Sequence, residues 1–250
     1  MKKFFVIFLF FSFILSSPTR ALDWDKLGKE ISKTGQTLED TLILGKKPLT
    51  QKEVIQGLKQ ALSIGSQKAG QKASQENGFY KNRLIFIPFP PEAKKVKQTA
   101  LQLGMKRQVD NFVLTLNRAA EEAAKEAAPI FLKAISSMSI QDGFKILNGP
   151  DTAATNYLQQ KTTAQLKKKF RPIVKKAIKE VQVTRYWNPI LTRYNQLPMV
   201  KKQNPNLDEY VLQRSLEGLF YLVGQEEKGI RKNPAARVTD LLKRVFGSVE

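Results

Sequence analysis

Four acids stand beside basic and amide groups in two short stretches of this chain. Glu121 and Glu122 follow Asn117 and Arg118, while Glu226 and Glu227 precede Arg231 and Arg237. Two carboxylates hydrolyse a glycosidic bond when one is desolvated enough to hold a proton and the pair has the right separation. These eight residues are therefore the polar cluster to locate, and a cell-wall glycan hydrolase or lyase is the reaction they would serve. The same spacing has a simpler meaning. Glu227 and Arg231 lie four apart, as do Asp240 and Arg244, which is the geometry of a helix ion pair. Carboxylates alone are weak evidence for catalysis.

Composition removes most other chemistry. The 250 residues include no cysteine and no histidine. Disulfide partners, thiolate nucleophiles, imidazole bases and the usual zinc ligand sets are excluded. No G-x-G-x-x-G, P-loop, G-x-S-x-G or S-x-x-K motif occurs. The expectation is no metal, no cofactor and no assignable catalytic residue, with an enzyme the less favoured class.

Charge is the second feature. Lys+Arg number 42 against Asp+Glu 22, a net charge of +20, and such a field attracts polyanions. Between Thr152 and Leu207 lie twelve basic residues and one acid, Glu180. Within Thr163 to Val181, Leu166, Phe170, Ile173, Val174, Ala177 and Val181 share one helical face. Lys168, Arg171, Lys175 and Lys179 lie opposite, and Arg185 follows. These five are the candidate contacts for anionic lipid or an acidic envelope polymer, each basic residue near such a membrane contributing about 1 kcal/mol. The apolar face reads as core, which argues against insertion as an interfacial helix. A solvated helix face would look the same. Tyr186, Trp187 and Tyr194, with Arg185 and Arg193, mix rings and cations as nucleic-acid or glycan platforms do. Beside a proline, core packing is the simpler reading.

The N-terminus sets the compartment. Lys2 and Lys3 precede Phe4 to Leu15, a twelve-residue run that is apolar except at Ser12, and small residues end at Ala21. This is the layout of a secretory signal peptide cut after Ala21. Twelve helical residues rise only about 18 Å, short of a hydrocarbon core of about 30 Å. Export to the periplasm follows, without a lipid anchor because no cysteine is present to accept one. Export in turn argues against a nucleic-acid partner.

The elements that must position these residues read as helices. Residues 22–48 form an arm or a docked first helix with weakening glycines. Thr50 and Glu53 make a capping box for a helix that fades in the glycine- and lysine-rich stretch after Gly65. Asn77-Gly78 marks a turn. Leu84 to Ile87 reads as strand-like but is bracketed by Pro88, Pro90 and Pro91, so an extended segment or small hairpin lying across helices is expected near 79–89. Pro91 opens a helix that Gly104 ends. Val109 to Met138 carries apolar residues at spacings of three and four and reads as a spine, kinked or split at Pro129. Ser139 and Asp142 open a short helix to Asn148-Gly149, Pro150-Asp151 another to Leu158, and Thr163 to Val181 a third. An aromatic segment runs from Arg185 to Pro198. Asp208 caps the next helix, and Asn233-Pro234 starts the last, with Val238, Leu241, Leu242, Val245 and Phe246 on one side. The sum is an all-α, single multi-helix globular domain over 49–247, with about eight helices.

Several segments together resemble a known family. They are Gly78 to Tyr80 with Ile87 to Pro90, Leu116 to Glu121, Pro129 to Phe131, Ile146 to Thr155, Phe170 to Val174, Glu226 to Arg237 and Leu241 to Gly247. In this order and over residues 49–247 they resemble the exported bacterial domain-of-unknown-function family 4197. The resemblance implies an all-helical exported domain with no established activity, and it carries over no catalytic residue. A non-enzymatic binding or structural component of the cell envelope is the reading favoured. The alternatives are the carboxylate-dependent glycan enzyme and a carrier of a hydrophobic ligand between helices.

Overall fold

Two capping boxes start helices where the sequence places them. In the computed structural model, which describes residues 49–180, 186–202, 206–233, 239 and 243, the first opens α1 (Gln51–Ser74): the Thr50 hydroxyl accepts the Glu53 N–H at 3.2 Å and the Glu53 carboxylate accepts the Thr50 N–H at 2.8 Å. The described residues fall in one unit, Leu49–Glu250. The signal segment 1–21, the arm 22–48, Arg185, Arg237, the Asp240–Arg244 pair and the stripe from Val238 to Phe246 lie outside the described residues.

α1 does not fade at Gly65. It runs on to Ser74, and Gly65, Ser66, Ala69, Gly70 and Ala73 are buried along it. Their smallness has a packing reason: a Cβ on Gly65 would stand 3.4 Å from the Glu226 Cβ, and one on Gly70 would stand 3.7 Å from the Ala128 Cβ. After Asn77, which takes a left-handed φ of 65°, the chain enters a long connection. A 3-10 turn (Pro91–Ala93) leads into α2 (Lys94–Gln102), which Gly104 ends at φ +74°.

The spine divides as Pro129 requires. α3 (Lys106–Ala124) and α4 (Ala127–Ser136) are separated by Lys125 and Glu126. Proline lacks the N–H that would bond the carbonyl four residues back, and its ring crowds that carbonyl, which here belongs to Lys125. The Ser139–Asp142 box then opens α5 (Ile140–Leu147). Its hydroxyl hydrogen bond holds the Asp142 carboxyl below the usual carboxylate range.

Two further expectations about the helices are corrected. The two helices expected from Pro150 to Leu158 and from Thr163 to Val181 are one continuous helix, α6 (Ala153–Glu180). The Thr162 and Thr163 hydroxyls, at the expected junction, bond back to the carbonyls of Leu158 and Gln159 within the helix. The aromatic segment contains α7 (Asn188–Asn195). The helix after it, α8 (Leu207–Lys232), is capped by Asn206, whose side chain accepts the Glu209 N–H at 3.1 Å, rather than by Asp208, which lies in its first turn.

No hairpin forms near 79–89, and no strand occurs among the described residues. Leu84 and Ile85 are in turns. The backbone groups of Ile87, which a strand would pair with another strand, are taken by one side chain: Asn117 accepts the Ile87 N–H at 2.9 Å and donates to the Ile87 carbonyl at 2.8 Å. The Tyr210 hydroxyl donates to the Pro88 carbonyl at 3.0 Å. Two side chains from α3 and α8 thus replace a sheet, which the flanking prolines would have prevented.

α8 packs along α6 and α1, with α3 against all three. Phe79, Phe112, Phe131, Phe170, Leu58, Leu116, Leu158 and Leu212 are among the largest side chains fully buried between them. Trp187 stacks on Phe112 with ring centres 4.9 Å apart and lies 5.7 Å from Phe89. Trp187 and Tyr194 are buried and Tyr186 half-buried, so these rings are core rather than a binding platform.

Gly218 lets α8 receive the connection after α1. A Cβ there would stand 2.7 Å from Phe79 Cε1 and 3.0 Å from the Ile85 Cβ, whereas one at Gly229 on the same helix would meet nothing within 4 Å. Gly218→Ala is expected to lower the unfolding free energy by about 1–3 kcal/mol through overpacking. Gly229→Ala should raise it by about 0.5–1 kcal/mol by reducing chain entropy and favouring helix. Urea denaturation of both variants checks the pair.

Candidate functional site

Two of the four acids are buried, and they do the same job in two places. Glu121 is 4% exposed and Glu227 is 6% exposed. Each accepts two consecutive backbone N–H groups from another part of the chain, and each is paired with an arginine on its own helix.

At the first place, Glu121 Oε1 accepts the N–H groups of Phe79 and Tyr80 at 3.0 and 3.1 Å. Arg118, one turn earlier on α3, donates Nη1 to Glu121 Oε2 at 2.5 Å. Its Nη2 reaches Glu76 Oε1 and Asn77 Oδ1, each at 3.0 Å. The group therefore secures the turn that leaves α1. Gly78 is needed inside it, since a Cβ there would fall 2.3 Å from the Lys72 carbonyl oxygen. Asn117, one turn before Glu121 on the buried face, completes the arrangement through Ile87 and also donates to the Val113 carbonyl at 2.8 Å. Asn117, Arg118 and Glu121 are brought together. Glu122 is not: it is exposed and pairs with Lys125 at 2.6 Å.

At the second place, Glu227 caps a helix that belongs to another part of the sequence. Its Oε1 accepts the Ala154 N–H at 3.0 Å, and its Oε2 accepts the Thr155 N–H at 2.8 Å and the Thr155 hydroxyl at 2.7 Å. These are first-turn amides of α6, which have no carbonyl partner within the helix. Their dipole favours a negative charge at this end. Arg231, one turn later on α8, gives Nε and Nη2 to Glu227 Oε1 at 3.1 and 3.0 Å. The same Nη2 donates to the Ile146 carbonyl at 2.8 Å, at the C-terminal end of α5, where a cation is favoured. One acid–base pair on α8 thus closes the end of α5 and the start of α6. Glu226 stands apart, accepting from Lys72 of α1 at 2.5 Å.

A small cavity borders Glu227 and Arg231, with Leu58, Ala61, Leu62, Ile146, Ala154 and Ile230 as its apolar walls. Its water-sized space is about 10 Å³, room for roughly one water molecule and not for an acyl chain or a sugar ring.

The arrangement has little capacity for acid–base chemistry. A general acid needs a carboxyl free to hold and pass a proton, whereas Glu121 and Glu227 spend their oxygens on N–H donors and a guanidinium. The four acids do not converge: Glu121 lies under the α1 exit turn, Glu227 at the α5–α6 junction, and Glu122 and Glu226 in lysine pairs. Among the described residues no group of three or more acids is placed to hold a metal ion.

The basic candidates divide differently. Lys168, Arg171, Lys175 and Lys179 are all exposed on α6, and Leu166, Phe170 and Val174 on its opposite side are fully buried. Arg171 pairs with Glu209 of α8 at 2.8 Å. Periodicity found this face. The capture of distant backbone amides by Glu121 and Glu227 was missed, though a trace of it was present: Glu227 continues the buried three-and-four spacing of Leu219, Phe220, Val223 and Ile230.

Glu227→Gln is expected to destabilise the fold by about 3–5 kcal/mol, because it removes the negative charge that the first amides of α6 and the part-buried Arg231 both engage. Glu121→Gln should cost less, about 2–3 kcal/mol, because Arg118 keeps Glu76 and solvent. Glu122→Gln should stay within about 0.5 kcal/mol, as an exposed ion pair contributes little. Guanidinium denaturation of the three single variants ranks them.

No protein with curated annotation and no solved structure matches the chain. A family model described as protein of unknown function (DUF4197) matches residues 48–247. That span takes in both buried acid–base groups, the lysine face of α6 and the connection pinned by Asn117, and the chain belongs to the DUF4197 family.

Proposed function

We infer that this is a non-enzymatic, exported helical domain of the cell envelope that contacts an acidic surface or polymer through the outer side of α6. The observation that carries the reading is the arc of Lys168, Arg171, Lys175 and Lys179, which falls within about 80° around the helix at 3.6 residues per turn. All four are exposed, while the apolar side of the helix is held in the core. The interior supports the same view, since its two buried carboxylates are engaged in closing helix ends and turns. The signal-like segment Lys2 to Ala21 supports export, and no described helix is long and apolar enough to cross a membrane.

Binding of this kind rests on charge alone and is screened by salt over a Debye length of about 10 Å at 0.1 M. The protein is expected to be retained at low ionic strength on an anionic matrix and on vesicles or polymers of negative charge, and released near 0.5 M salt. It should pass through a neutral matrix. Replacing Lys168, Arg171, Lys175 and Lys179 together by Gln should bring elution to markedly lower salt while leaving the circular dichroism spectrum unchanged. Equal elution of the quadruple variant and the parent protein would contradict the reading.

A further inference from the structure

The distribution of charge around α6 points beyond an acidic surface in general. Resting on the reading above, we propose that the partner is a linear phosphate-bearing polyanion without bases that lies along and around α6, rather than a lipid bilayer or a nucleic acid. Lys161 and Lys179 are eighteen residues apart on one continuous helix, about 27 Å at 1.5 Å per residue. Between them Lys167, Lys168 and Lys169 are consecutive and all exposed. Successive helical residues point about 100° apart, so Lys167 and Lys169 project to opposite flanks of the ridge that carries Lys168 and Lys175 at its centre. A plane resting on the ridge meets the centre and not both flanks. A flexible chain bends to reach all of them.

The rest of the face disfavours the competing modes. From Gln159 to Lys179 every exposed position of α6 is Lys, Arg, Gln, Ala164 or Pro172. Peripheral membrane helices hold to bilayers by sinking an apolar face to the acyl boundary, and here Leu166, Phe170 and Val174 are fully buried in the core. Single-stranded nucleic acid is held by stacking bases on aromatic rings, and no ring is exposed along this span. What remains is a row of ammonium groups, each a compact point charge with three donors, suited to phosphate oxygens without fixed geometry. Among the described residues Lys167, Lys168, Lys169 and Lys175 have no ion-pair partner, whereas Arg171 is already engaged by Glu209.

The probe is inorganic polyphosphate, titrated into the full chain and followed by calorimetry, beside tripolyphosphate, phosphatidylglycerol vesicles and single-stranded DNA. Two variants separate the modes: a central pair, Lys168→Gln with Lys175→Gln, and a flanking pair, Lys167→Gln with Lys169→Gln. Long-chain polyphosphate should bind at low salt, and tripolyphosphate far more weakly. Each variant should weaken long-chain binding about tenfold and lower the log–log salt slope by about 1.4, two contacts at about 0.7 each. Vesicle binding that the central pair weakens and the flanking pair leaves untouched would overturn the polyanion assignment while keeping the acidic-surface reading. So would polyphosphate binding indifferent to the flanking pair, or DNA binding in its place. Absence of binding to every probe at low salt would overturn both.

Discussion

The fold turns on one carboxylate, Glu227, which closes the first turn of a helix 72 residues earlier in the chain. A helix start must find acceptors for its first amides, and α6 finds two of them on α8. The same acid fixes Arg231, whose guanidinium covers a carbonyl at the end of α5. Charge signs suit both helix ends, with the anion at an N-terminus and the cation at a C-terminus. A buried ion pair is often a weak source of stability because both charges lose water. Here each charge regains backbone hydrogen bonds, and the pair sets where α5, α6 and α8 meet.

Glu121 and Arg118 repeat the device at the exit of α1, and Asn117 extends it to a connection that would otherwise expose unpaired backbone. Together these residues explain how a chain without cysteine, and with no sheet among the described residues, holds a long, proline-rich connection against helices. They also commit the two buried acids, Glu121 and Glu227. Their oxygens are occupied, and the cavity beside Glu227 has room for about one water molecule. The outer side of α6, by contrast, carries exposed lysines.

Much of this was legible in sequence where the information is local. Both capping boxes, the split forced by Pro129 and the left-handed ends at Asn77 and Gly104 follow from residues within a few positions of one another. The lysine face of α6 follows from a period of 3.6. What failed was non-local. The glycines of α1 looked like helix breakers because their partners, Glu226 and Ala128, are distant in sequence. Leu84 to Ile87 looked like a strand because β-branched and aromatic residues suit one, yet Asn117 rather than a strand satisfies Ile87. The buried acids Glu121 on α3 and Glu227 on α8 pair with Phe79, Tyr80, Ala154 and Thr155, which no spacing rule connects to them.

The central claim is that Glu227 holds the first amides of α6, and amide hydrogen exchange reads this most directly. The Ala154 and Thr155 amides should exchange as slowly as those of the buried core in the parent protein. In Glu227→Gln, studied under native conditions, they should exchange far faster while the amides around Phe112 and Leu116 stay protected. Rapid exchange of Ala154 and Thr155 in the parent protein would contradict the account, because the carboxylate would then not be the group that closes this helix.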